Sequence, residues 1–147
     1  MQSNDYKLEM ISRYFSYAEA LWLPKWGRMA NESDGLNALI LERLVVTFKK
    51  LDLVCEYFDR PINIHCAYRP EFYNKFVGGA ADSAHVLGMA VDFDVKSLSC
   101  ETAISMILKD DMLDKWNMRL ENNGKSPSWC HLDDREISPG GHRYFKP

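Results

Sequence analysis

One acidic residue inside an apolar segment constrains the folding of this chain more than any other feature. The run from Met89 to Val95 is predicted to form a strand, yet Asp92 stands in its middle. A carboxylate in such a setting is costly to bury unless it is paired with another charge or bound to a metal ion. Asp92 is therefore the first candidate for a functional site.

The length and composition indicate a single domain, which we place at residues 1–147. The apolar fraction of 46% is sufficient for a real core. Lys and Arg number 18 against 21 Asp and Glu, so the net charge of −3 lacks the basic character of a nucleic-acid binder. The apolar runs are too short to span a membrane. We expect a monomer with neither a nucleic-acid nor a membrane partner.

The N-terminal segment predicts synthesis in the cytoplasm without a signal peptide. MQSNDYKLEM is polar and has no apolar stretch typical of a secretory leader. The four cysteines form no CxxC pair, and we expect them to be reduced and mostly buried.

Periodicity predicts two helices at the start of an α+β fold. Apolar residues at spacings of three and four indicate a helix from Asp5 to about Leu23. A second helix, capped by Ser33 and Asp34, is expected to end near Phe58.

The second half of the chain predicts a small sheet with antiparallel pairing. Alternation indicates a strand at 62–66, and two further strands flank Asn123-Gly124, a frequent hairpin turn. The remaining predicted elements are a helical turn at 71–76, the strand at 89–95, a helix at about 101–113, strands at 117–121 and 129–132, and an irregular tail, SPGGHRYFKP.

Three residues could together hold a metal ion. His85 ends a glycine-bounded loop, Asp92 lies in its strand, and His131 lies in the apolar segment 129–132. Imidazole nitrogens and carboxylate oxygens are good zinc ligands, and catalytic zinc sites commonly have three protein ligands and one open position. The competing interpretation is that these histidines are ordinary core or surface residues, because this spacing is not unique to metal sites. Asp94, on the same strand face as Asp92, could compete as a ligand.

Several segments resemble the M15 peptidases. Residues 83–92, SAHVLGMAVD, are similar to the S-x-H-x-x-G-x-A-x-D signature of that family, and residues 129–131 match its W-x-H element. Cys66-Ala67-Tyr68-Arg69, followed by Pro70, Asn74 and Gly78-Gly79, resembles the S-G-Y-R segment, and residues 15–20 resemble an F-S-x-x-E stretch. The family comprises D-alanyl-D-alanine carboxypeptidases and dipeptidases and phage L-alanyl-D-glutamate endolysins.

The resemblance implies a fold, a cofactor and a set of site residues. The fold would be the small α+β zinc-peptidase fold shared with the hedgehog signalling domain. Zn²⁺ would be held by His85, Asp92 and His131. Arg69 would bind the substrate or stabilise developing charge, although a surface salt bridge or a loop-packing role is the alternative. Ser83 and Tyr68 would also bind substrate, with Ser83 equally suited to holding the His85 loop.

The general base is where the sequence departs from the family pattern. Many members carry Glu or Asp three residues before the second metal histidine, but here that residue is Ser128, a poor base. Glu121, in the preceding predicted strand, is the first replacement, and Asp133 is the second. Asp133 could instead orient His131 through a hydrogen bond. A third possibility is that no effective base exists.

These features predict a zinc metallopeptidase, a carboxypeptidase or an endopeptidase, that hydrolyses D-Ala-D-Ala or L-Ala-D-Glu type bonds in peptidoglycan peptides. The absence of a leader fits a phage or prophage product that reaches the cell wall after release or as a virion component. The alternative is a weak or inactive zinc-binding module that binds cell-wall peptides.

Overall fold

The computed structural model describes residues 9–147. The helices are α1 (Tyr17–Leu21), α2 (Ala38–Phe58), α3 (Glu71–Phe76), α4 (Cys100–Lys109) and α5 (Met112–Trp116), with a 3₁₀ turn at Glu32–Asp34. The strands are β1 (Trp22–Leu23), β2 (Arg28–Met29), β3 (Ile62–Cys66), β4 (Ala90–Val95), β5 (Arg119–Glu121), β6 (Cys130–Asp133) and β7 (Tyr144–Phe145). This mixture of helices and sheet confirms the predicted α+β class.

The main sheet has the strand order β3-β4-β6-β5-β7. All neighbouring strands are antiparallel except β5 and β7, which run parallel, and β1 and β2 form a separate hairpin. The pairing of β5 with β6 confirms the hairpin predicted around Asn123-Gly124. The tail was predicted to be irregular, and this was wrong at Tyr144–Phe145, where the backbone pairs with the exposed edge of β5.

Helix α2 contributes much of the apolar core. Leu44, Phe48 and Leu51 are fully buried and belong to the same apolar cluster as Val91 and Phe93 of β4. Side chains alternate between the two faces of a strand, so Asp92 projects from the face opposite to its neighbours. The apolar core therefore packs on one face of β4, and the polar site lies on the other face.

The first predicted helix is wrong over most of its length. Residues 5–8 lie outside the described part, and within the rest of the range only α1 is helical. A carboxylate of α2 explains the difference. Asp52 accepts hydrogen bonds from Oγ of Ser12 (2.9 Å) and from the amides of Arg13 (2.9 Å) and Tyr14 (3.1 Å). These bonds hold residues 12–14 against α2, within a short loop that the bridge between Met10 and Ser16 closes.

Two other helix boundaries differ from prediction because of local backbone chemistry. Helix α2 begins at Ala38, since Asn37 accepts a hydrogen bond from the amide of Ile40 and caps it. The helix predicted at 101–113 is split into α4 and α5 by Asp111, whose φ of 52° is left-handed.

None of the helices between residues 9 and 147 has the length and apolar character needed to cross a lipid bilayer.

We predict that Asp52→Ala lowers the free energy of unfolding by about 2–3 kcal/mol, because it leaves three donors of the N-terminal segment without their charged acceptor. Urea denaturation followed by circular dichroism measures the change. Glu42→Ala, which removes an exposed carboxylate from the same helix, is the matched control and should change stability by less than about 0.5 kcal/mol. Equal stabilities of the two variants would contradict the proposed role of Asp52.

Candidate metal centre

The register of the sheet places a histidine directly opposite the buried carboxylate. In the antiparallel pair β4–β6, Asp92 faces His131. Nδ1 of His131 lies 2.8 Å from Oδ1 of Asp92. Sheet pairing thus supplies one of the partners that the carboxylate in the apolar strand requires.

The loop before β4 supplies a second histidine. Nε2 of His85 lies 3.2 Å from the same Oδ1 of Asp92, and Nδ1 lies 2.6 Å from the backbone oxygen of Ala67. Gly88 allows the loop to turn tightly against α2. It has a φ of +75°, and a Cβ there would stand 3.0 Å from the carbonyl oxygen of Ile40.

The tautomer of His85 indicates that the site suits a cation. A carbonyl oxygen can only accept, so Nδ1 of His85 donates to Ala67, and Nε2 is the nitrogen that faces the site. Nε2 is buried and has no hydrogen-bond partner among residues 9–147. It lies 3.2 Å from Oδ1 of Asp92, so a cation placed between the two atoms could be bound by both.

The donor set fits zinc. One ligand atom from each of His85, Asp92 and His131 lies within 4.8 Å of the other two, and the three residues are only 2%, 5% and 8% exposed. Two imidazoles and one carboxylate leave an open position on a tetrahedral ion. Burial raises the pKa of Asp92, but the two adjacent histidines outweigh it and hold the pKa well below its usual range.

The other nitrogen of His131 is held by a carboxylate that is itself fixed by an arginine. Nε2 of His131 lies 3.3 Å from Oδ2 of Asp133, and Arg119 donates to both oxygens of Asp133 at 2.7 and 2.8 Å. Burial lowers the pKa of His131, whereas its hydrogen bonds with Asp133 and Asp92 raise it, to about 9. Asp133 is 1% exposed, and this placement favours the role of orienting His131 over that of a base.

Glu121 reaches the ligand set from the end of β5. Its Oε2 lies 3.6 Å from Nδ1 of His131, and its side chain is 21% exposed. It lines a cavity of about 440 Å³ that also contains His85, Asp92 and His131. Glu121 therefore lies next to the ligand atoms while retaining contact with solvent.

Arg69 is held beside the metal ligands by a buried amide. Its Nη2 donates to Oδ2 of Asp92 (3.3 Å), and its Nη1 donates to Oδ1 of Asn74 (3.2 Å). A Cβ on Gly79 would stand 2.0 Å from that amide oxygen, so only glycine leaves room for it. Ser83 also lines the cavity, and its Oγ accepts from the amide of His85 at 3.2 Å.

Some predicted residues lie away from this cavity. Tyr68 is buried in the apolar core, with its hydroxyl towards Gly35, because consecutive residues of an extended segment point to opposite sides. The structure therefore does not bring Tyr68 to the site. Asp94 is paired with His65 at 2.5 Å, which leaves it outside the group of converging ligand atoms.

The cavity also contains residues that the sequence did not reveal. They include the basic and aromatic residues Arg119, Arg135, Phe145 and Lys146 and the acidic residue Asp82. Arg119 carried a usable signal, because it lies opposite Asp133 in a hairpin of two predicted strands, where opposite charges pair favourably. Nothing in the sequence indicated Phe145, because its position depends on a parallel pairing with β5 that local patterns do not predict.

Comparison with known proteins agrees with this geometry. A sequence-family model described as Peptidase M15 matches residues 15–133. The matched range includes all three candidate metal ligands, Glu121 and Arg69, and it ends before β7. No curated protein matches the chain.

We predict that the protein binds one zinc ion and that His85→Ala weakens binding by at least about 100-fold, because it removes one of three ligands. Competition with a chromophoric chelator measures the affinity. His65→Ala, which removes a histidine outside the ligand group, should leave the affinity unchanged. Equal zinc binding by the two variants would contradict the assigned ligand set.

The raised pKa of His131 predicts how zinc affinity depends on pH. Below the pKa of about 9, the metal-free protein carries a proton on His131 that zinc must displace. Because zinc competes with this one proton, the apparent zinc affinity should rise about tenfold for each pH unit until about pH 9. With an imidazole of ordinary pKa, the rise would end at about pH 6.5. Chelator competition from about pH 6 to 10, corrected for protonation of the chelator, measures the profile. A plateau beginning near about pH 7 would contradict the prediction.

Proposed function

The chain belongs to the M15 peptidase family, a family of zinc-dependent metallopeptidases, and on this basis we propose that it hydrolyses peptidoglycan peptides with Glu121 as the general base. The observation that carries the proposal is the position of Glu121. Its Oε2 lies 3.6 Å from a ligand atom of His131, inside the cavity that holds all three candidate ligands.

His85, Asp92 and His131 would hold the zinc ion, through Nε2, Oδ1 and Nδ1 respectively. When bound, zinc supplies a Lewis acid that polarises the scissile carbonyl and lowers the pKa of water. Asp133 and Ala67 fix the two imidazole rings from behind, so that Nδ1 of His131 and Nε2 of His85 face the same carboxylate oxygen. The protein thus has its ligands oriented in advance of metal binding.

Glu121 would move the proton. Its carboxylate takes a proton from the attacking water and donates it to the leaving nitrogen of the cleaved peptide bond. Solvent contact and the lack of a bidentate arginine partner in the described contacts keep Glu121 available for this task. Asp133 is less suited, because Arg119 occupies both of its oxygens.

Arg69 would recognise the substrate. Its guanidinium lies at the cavity wall, anchored by Asn74 and Asp92. A planar guanidinium binds carboxylates well and stabilises negative charge that develops on a carbonyl oxygen. Arg135 and Lys146 add positive charge to the same cavity. Four acidic side chains also line the cavity, so the support for a substrate that carries carboxylates comes from the guanidinium of Arg69. Peptidoglycan stem peptides are such substrates, and the cleaved bond would be of the D-Ala-D-Ala or L-Ala-D-Glu type.

We predict that Glu121→Gln lowers kcat by about 10²–10⁴-fold, because the amide cannot accept the proton from water, while zinc stoichiometry remains unchanged. Release of new amino groups from purified peptidoglycan measures the activity, and mass spectrometry of the fragments identifies the bond. Glu136→Gln, which alters an exposed carboxylate outside the cavity, is the matched control and should retain full activity.

Two outcomes would overturn the proposal. Full activity of Glu121→Gln would exclude Glu121 as the base. A zinc-loaded native protein that binds peptidoglycan fragments but releases no amino groups would indicate a binding module instead of an enzyme.

A further inference from the structure

The backbone of Glu121 is held by the last strand of the sheet. In the described part of the chain, the β5–β6 ladder pairs Arg119 with Asp133 and Leu120 with Leu132, and it ends before Glu121. The parallel β5–β7 ladder continues one residue further and pairs Glu121 with Phe145. The position of Glu121 at the tip of β5 therefore depends on β7.

The amides on both sides of Glu121 donate hydrogen bonds to carbonyl groups of residues 143 and 145, in and next to β7. The amide of Leu120 donates to the carbonyl of Arg143 at 2.7 Å, and the amide of Asn122 donates to the carbonyl of Phe145 at 2.6 Å. With both neighbouring amides bound, the backbone of Glu121 has little freedom to rotate. From this backbone position, Oε2 of Glu121 lies 3.6 Å from Nδ1 of His131.

The side chain of Phe145 contacts the groups behind the metal ligands. The guanidinium of Arg119 stands 4.0 Å from the centre of the Phe145 ring, in cation–π geometry. The ring of His131 is 6.3 Å from the same centre, in an edge-on arrangement. Phe145 thus packs on the first and last members of the Arg119–Asp133–His131 chain.

Tyr144, the other residue of β7, faces elsewhere. It borders a cavity lined by Ile107, Leu108 and Leu113, on the helical side of the sheet. The two side chains of β7 therefore lie on opposite faces, and only Phe145 lines the cavity of the metal centre.

We propose that Phe145 is a positioning residue that fixes the geometry between Glu121 and His131. This inference rests on the proposed function, in which Glu121 is the general base. It concerns a segment beyond residues 15–133, the range that the family model matches. Displacement of a proton-transferring group by about 1 Å can cost two orders of magnitude in rate. Loss of the Phe145 ring should therefore slow the chemical step without removing any group that takes part in it.

The first experiment compares Phe145→Ala with Tyr144→Ala in the zinc-loaded full chain. Phe145→Ala should lower kcat about tenfold or more and change KM less than about threefold, while zinc stoichiometry stays at one. Tyr144→Ala removes an aromatic ring from the same strand and should leave kcat within about twofold. Equal kcat values for the two variants would overturn the proposal. If Phe145→Ala does not fold, Phe145→Leu, which keeps an apolar side chain, replaces it with the same criterion.

A double-mutant cycle separates positioning from a general structural role. If Phe145 acts through Glu121, Phe145→Ala should have almost no further effect on kcat in the Glu121→Gln background. A full and independent reduction in that background would overturn the proposal. If Glu121→Gln alone remains active, the proposed function fails. If Glu121→Gln is inactive but Phe145→Ala is normal, only the present inference fails.

Hydrogen exchange gives a readout that needs neither zinc nor substrate. In the metal-free protein, Phe145→Ala should accelerate exchange of the Leu120 and Asn122 amides at least about tenfold, because the ring anchors β7 on Arg119. Tyr144→Ala should have a smaller effect. Unchanged protection of these two amides in Phe145→Ala would overturn the proposal even if the native protein had no peptidase activity.

Discussion

The structure depends on one buried carboxylate and the basic side chains that surround it. Asp92 occupies the middle of an apolar strand, and an uncompensated charge there would cost several kcal/mol. The compensation comes from distant parts of the chain: a histidine on the paired strand, a histidine on a loop and an arginine after β3. The order of β3, β4 and β6 in the sheet can be understood as the arrangement that brings these partners to one carboxylate.

Each group that contacts Asp92 is in turn fixed by a further contact. Asp133 and Arg119 hold His131, the carbonyl of Ala67 holds His85, and Asn74 holds Arg69. Polar networks of this kind stabilise a single arrangement only when each member is satisfied. Nε2 of His85 is the exception, since it is buried and has no hydrogen-bond partner in the described residues. That exception is the atom which the donor set would offer to zinc.

Two carboxylates near His131 have opposite environments, and this difference separates their roles. Asp133 is almost wholly buried, and both of its oxygens accept from Arg119, so its pKa remains low despite burial. Glu121 keeps contact with solvent at the end of a short strand. Asp133 is suited to holding the metal-ligand candidate His131 in place, and Glu121 is suited to exchanging a proton. The edge strand β7 pairs with Glu121, and its Phe145 lines the same cavity, although β7 lies outside the matched family range.

Local patterns in the sequence were enough to predict the α+β class and most of the strands, and to select three residues that the structure brings together as candidate metal ligands. The strand at 62–66 and the hairpin of β5 and β6 follow from alternation and turn chemistry, which act between near neighbours. The resemblance to the M15 peptidases, now supported by the family match, rested on short motifs of the same kind. The prediction of the first helix was wrong because a residue distant in the chain, Asp52, accepts hydrogen bonds from Ser12, Arg13 and Tyr14.

The sequence by itself therefore determined the candidate metal ligands, because the costly placement of Asp92 and the motifs around the two histidines can be recognised in the chain. Only the tertiary structure decided how the remaining residues are used. It placed Tyr68 in the core, bound Asp133 to Arg119 and set Phe145 beside Glu121. These outcomes depend on strand order and register, which arise from contacts between residues far apart in the chain and leave no local periodic signal.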